Sequence, residues 1–134
     1  MNKFFITVAV GVTCFGIVAA NAQHMTLEGA KVMLTDVPGA ADCTHPGTAP
    51  VVPDGATASD DEMNGTIEAY NDWAGRIEEY QTCIDAVAKA AGDALTSEQD
   101  QAVTMVYDSF VDEQQVFADA FNEQIVLHNE VNPE

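Results

Sequence analysis

The sequence predicts an all-α protein: an antiparallel two-helix (αα) hairpin, preceded by an extended Pro/Gly-rich strap that a disulfide staples to it. Three observations lead there. Two long segments each open on a capping motif and carry apolar residues at helical spacing, only a few residues join them, and a proline-rich stretch with its own cysteine stands directly before the first.

The chain opens with Lys3, an apolar run from Phe4 to Ala20, and the small-x-small triplet Ala20-Asn21-Ala22. That order is the pattern of a secretory signal peptide over residues 1–22. Gly11 and Gly16 break the run and small residues end it, which favours cleavage over a retained membrane helix. Cys14 sits in mid-run without the Leu-small-small triplet of a lipid-anchored cysteine. The expected product is periplasmic or secreted in a bacterium, with no stable membrane insertion after cleavage.

Residues 23–58 divide in two. The stretch "QHMTLEGAKVMLTDVPGAAD" shows no clear period and reads as a flexible leader. From Cys43 to Ala58 the composition shifts to Pro, Gly, Ala and Thr. Pro46, Pro50 and Pro53 fix their own backbone and push their predecessors extended, with a turn at Asp54-Gly55.

Residues 59–134 form the expected hairpin. Ser59 and Glu62 make a capping box, and the acidic residues between them suit the positive end of the helix dipole. Met63, Ile67, Tyr70, Ala74, Ile77, Ile84, Ala88 and Ala91 follow at alternating steps of four and three, the heptad seam of a coiled coil, with Gln81 in the gap. Gly92 is the expected C-terminal cap, so the first helix should run ~48 Å. Thr96 or Ser97 then caps a second helix with its stripe at Val103, Val106, Phe110, Phe117, Phe121 and Ile125. Each of Gly65 and Gly75 weakens a helix by about 1 kcal/mol, which suggests that something packs closely against the backbone there.

Once Cys14 leaves with the signal segment, Cys43 and Cys83 remain, and in an oxidising compartment an even pair reads as one disulfide. The reach is sufficient. Cys83 lies ~36 Å into the helix from Ser59, while the chain from Cys43 to Ser59 spans ~50 Å in polyproline geometry.

Cys43, "PVVPDGATAS" from Pro50 to Ser59, Glu62-Met63, Tyr80-Gln81-Thr82-Cys83 and Phe121-Asn122 occur in an order that resembles a group of small exported proteins of Proteobacteria. The resemblance covers roughly Cys43 to Asn129. It implies export and a paired-helix fold, and no particular activity.

Composition narrows the function classes. With Lys3 removed, three basic residues face 22 acidic ones, a surface that repels nucleic acid and anionic lipid and favours cations or basic partners. His24, His45 and His128 have no credible nucleophile beside them, and a two-helix layer offers no deep pocket, so no enzyme activity is expected. The carboxylate pairs Glu68/Asp72, Asp108/Asp112 and Asp119/Glu123 read as a solvated acidic face, and Met63, which could join His128 as a soft metal ligand, reads as core. Neither a metal nor another cofactor is expected. Two helices cannot bury every ring unless the strap or a second copy covers another face: either strap and hairpin consume them, or Tyr70, Trp73, Tyr107, Phe110, Phe117 and Phe121 form the candidate interaction surface for a protein partner or a homodimer. The expected role is protein-protein interaction or a structural one. The alternatives are a periplasmic metal-binding protein and a holdase-type chaperone.

Overall fold

The computed structural model describes residues 25–133, and the expected signal segment at 1–22 lies outside them. Among the described residues there are three α-helices and no strand: α1 Leu27–Thr35, α2 Asp60–Ala91 and α3 Ser97–Val131. The all-α class and the Cys43–Cys83 disulfide, with its Cα atoms 5.7 Å apart, are both present.

The two long helices start where local chemistry tells them to. Ser59 accepts from the Glu62 N–H, and the Glu62 carboxylate in return takes the Ser59 N–H at 2.8 Å and its hydroxyl at 2.9 Å. These donors hold the Glu62 carboxyl below its ordinary pKa, the Ser59 backbone N–H having the larger effect. Thr96 and Gln99 repeat the reciprocal cap on α3. Between the helices the chain leaves α2 at Gly92, whose φ of 52° favours glycine, and makes one 3-10 turn to Leu95.

Tyr70 stacks on Phe117, the Tyr107 hydroxyl meets the Gln81 carbonyl, and His128 meets Asp60, a set of pairings that requires α2 and α3 to run antiparallel. Residues 44–54 are extended and follow α2 in the opposite sense. The disulfide fixes their start beside Cys83, the Pro46 carbonyl accepts from Arg76 Nε at 3.1 Å, and Ala49 and Val52 pack with Met63, Phe117 and Phe121. The His45 ring lies 5.6 Å from Tyr80 and 5.8 Å from Phe110, closing the seam near its middle.

The leader corrects an expectation. Residues 23–42 were expected to be flexible, yet they supply α1, capped by Thr26, which accepts from the Gly29 N–H at 3.1 Å. Leu27, Ala30 and Leu34 lie on one face, and α1 packs against α3, with Ala30 and Ala102 both fully buried. A nine-residue helix is unstable alone. It forms because that face is covered, and its small central residue conceals the period in sequence.

The seam of α2 also differs from the heptad reading. Met63, Thr66, Trp73, Ile77 and Ile84 face inward, while Ile67 is exposed. A straight helix drifts by about 20° per heptad relative to a 3.5-residue repeat, and α2 must face α3 and the extended segment together. Trp73, the sole tryptophan, is fully buried, and its indole N–H has no partner among the described residues. An unmatched buried donor costs about 1–3 kcal/mol.

The disulfide joins residues 40 apart, so the chain-entropy account assigns it up to ~4 kcal/mol. Urea unfolding followed by Trp73 emission should show a lower midpoint in the Cys43→Ser/Cys83→Ser variant. An unchanged midpoint would mean that the link constrains nothing the fold does not already hold.

Candidate interaction surface

The six aromatic residues expected to form a surface are consumed by the core. Trp73, Phe110, Phe117 and Phe121 are buried, and Tyr70 and Tyr107 are half-buried. Tyr70 stacks on Phe117 at 4.7 Å, and Phe117 lies 5.7 Å from Phe121. The Tyr107 hydroxyl stands 2.7 Å from the Gln81 carbonyl and 2.8 Å from the Asp85 carboxylate, and its single proton serves one of them at a time. Burial first, then the Asp85 hydrogen bond and charge, push the Tyr107 phenol well above its ordinary pKa, so it stays protonated. Cover by the strap, the other outcome open in the sequence, is what occurs, and the unexpected α1 adds to it. With α1 and the extended segment in place, the rings have a third layer to pack against.

At the far end of α2 and α3 from the disulfide, four residues from two distant stretches of the sequence meet. The Gly55 N–H donates to Gln124 Oε1 at 2.9 Å, and the Gly55 carbonyl lies 3.3 Å from His128 Nδ1. His128 Nε2 lies 2.7 Å from Asp60 Oδ1 on the first turn of α2. One buried imidazole in the last turn of α3 therefore ties the turn of the extended segment to the start of α2. The backbone approach is close enough that a Cβ at Gly55 would collide with the Gln124 carbonyl. In sequence, Asp54-Gly55 signals only a turn, and nothing local announces a contact with Gln124.

The expected close packing at Gly65 and Gly75 is not found. Both are exposed, and a Cβ at either would meet nothing within 4 Å. The glycine that permits close approach is Gly55.

Met63 and His128 do line one shallow depression, together with Asp60, Asn64 and Phe121. Both His128 ring nitrogens already face protein oxygens, and among the described residues no three His, Cys, Asp or Glu side chains gather in a way that could hold a metal ion. The carboxylate pairs Glu68/Asp72, Asp108/Asp112 and Asp119/Glu123 are exposed. Among the described residues no helix is long and apolar enough to cross a membrane.

What stands exposed instead is aliphatic. Val116 is 68% exposed, Val131 52% and Leu127 39% on α3, and Val51 is 89% exposed on the extended segment. Between these elements runs a groove lined by Val52, Pro53, Asp54, Ala120, Gln124 and Leu127. A second groove lies where Leu27 of α1 meets Met105, Ser109 and Asp112 of α3. Isolated valines would carry no message, because single exposed apolar residues are ordinary. Val116, Leu127 and Val131 share one side of α3, whereas Val111 and Val126, also exposed, point away from it. No family model, curated protein or solved structure matches the chain.

The glycine contrast is directly testable. Gly55→Ala should destabilise by about 1–3 kcal/mol, the usual cost of forcing an atom into a packed site. Gly65→Ala and Gly75→Ala should each stabilise by up to about 1 kcal/mol, the helix-propensity difference with nothing to oppose it. Equal effects at all three positions in urea melts would contradict the assigned roles.

Proposed function

We propose that the chain is an exported, non-catalytic protein of the periplasm or external medium that acts by binding another protein. In this reading α2 and α3 form a hairpin, residues 44–54 are the strap laid along it, and residues 1–22 are removed on export. The observation that carries the reading is the aliphatic side of α3, Val116, Leu127 and Val131, left open on a chain otherwise crowded with carboxylates. The disulfide supports export, since such bonds persist in oxidising compartments. The three grooves described above are shallow and lack a nucleophile with a histidine beside it, which supports a binding role over catalysis.

Expression of the full chain in a bacterium, with a photo-crosslinking amino acid placed in turn at Val51, Val111, Val116 and Leu127, tests this. The expected product is an exported protein lacking residues 1–22, with both remaining thiols blocked, that forms one discrete adduct with another protein. An uncleaved cytoplasmic product with free thiols would overturn the export reading. The absence of a discrete adduct at every position would overturn the binding role.

A further inference from the structure

The side of α3 that α1 uses does not end where α1 ends. Leu27, at the start of α1, sits against Met105, Ser109 and Asp112, while the other end of α1 leads through Val37 to Val103 near the start of α3. Thus α1 runs antiparallel to α3 and covers only its first half. Beyond Asp112 the same side continues as Val116, Ala120, Leu127 and Val131, whose steps of four, seven and four keep one helical stripe. From Asp112 to Val131 that is ~28 Å of helix. Val52 and Pro53 of the extended segment form the opposite wall, and the Gly55–Gln124 hydrogen bond holds the two walls together.

Val116, Ala120, Leu127 and Val131 carry no charge, but Glu113 shares their side near its start and the borders are acidic. Asp112, Asp119, Glu123 and Glu130 follow its outer edge, and Asp54 stands on the opposite wall, all exposed. None has a cationic partner, since the ion pairs among the described residues are Lys31 with Glu28 and His128 with Asp60.

We propose that this groove binds an amphipathic helix of another protein, one with an aliphatic face and Lys or Arg along its flanks. The occupant is a helix because α1 already shows how this side of α3 is covered: by a short helix with Leu27, Ala30 and Leu34 turned inward. It is basic because the carboxylates beside the groove demand countercharge. A second copy of this chain cannot supply it. The whole chain has four basic residues: Lys3 lies in the expected signal segment, Arg76 donates to the Pro46 carbonyl, Lys31 pairs with Glu28, and exposed Lys89 alone would face five border carboxylates, while a second α3 would bring its own acidic borders with it. Association driven this way weakens as salt screens the borders. The proposal rests on the binding role above and adds the partner's chemistry and the face it takes.

The test uses the oxidised, exported full chain and three synthetic peptides of about 18 residues: leucine and lysine in amphipathic register, the same composition scrambled, and glutamate in place of lysine. Calorimetric titration should show one leucine-lysine helix per chain. Val116→Gln with Leu127→Gln, at exposed positions and without change of charge, should weaken binding about ten-fold or more. Equal binding of the scrambled peptide, or of the double variant, would reduce the effect to bulk acidity and overturn the proposal, as would binding of the glutamate peptide. A dimer in sedimentation that the double variant dissociates would assign the groove to a second copy and overturn it too. A photo-adduct confined to Val111, away from the groove, would also overturn this proposal while leaving the binding role intact.

Discussion

The described chain from residue 25 to α2 is organised by the anchoring of one extended segment at both of its ends. At one end the Cys43–Cys83 bond fixes it to the last third of α2. At the other, Gly55 lies against Gln124 and His128 of α3. A chain held at those two points must run along the seam between the helices, and Ala49 and Val52 then fall over Met63, Phe117 and Phe121. The same anchor directs what precedes it. The turn through Gly39 to Cys43 sends the upstream chain back along α3, where Leu27, Ala30 and Leu34 complete the cover of Trp73 and Phe110. Two helices of this length bury too little surface by themselves to offset the entropy of ordering them. The third layer supplies the remainder, and Pro46, Pro50 and Pro53 lessen the ordering cost by stiffening the unfolded segment.

What was legible in the sequence was mostly what local chemistry decides. The boundaries of α2 follow from Ser59, Glu62 and Gly92, and the start of α3 from Thr96 and Gln99, because each cap is a hydrogen-bonding exchange among residues a few positions apart. The cysteine pairing followed from counting. What tertiary contact decides was harder to read. The α1 helix depends on its packing against α3, and Ala30, its fully buried residue, has no hydrophobic bulk to mark a period. Gly65 and Gly75 look like packing sites by the helical cost they impose, yet they stand in open solvent. Gly55 looks like an ordinary turn residue, and its role depends on Gln124, far along the chain. The aromatic side chains were misplaced by the same omission: α1 was not in the count, and cover by the extended segment was only one of two outcomes the sequence left open.

The buried rings also change where function can lie. A surface of tyrosine and tryptophan would suit many partners, whereas in the proposed role the exposed aliphatic stripe of α3, bordered by Asp112, Asp119, Glu123 and Glu130, would discriminate by charge. One wall of that groove belongs to α3 and the other to the extended segment, so the anchors that complete the core also shape the proposed binding face. Stability and recognition share the contacts of Gly55, Gln124 and His128, and the aliphatic side chains that face solvent at Val116 and Leu127 can change without disturbing the interior.

The central claim is that residues 25–58 form a layer of the same cooperative unit as α2 and α3. Native-state hydrogen exchange on the oxidised protein measures this most directly, residue by residue. The account predicts that the hydrogen-bonded amides of α1 from Lys31 to Leu34 open with the free energy of the core amides around Trp73 and Phe110, because α1 cannot remain helical once it leaves α3. Exchange of the α1 amides at nearly unprotected rates, while α2 and α3 stay protected, would contradict it.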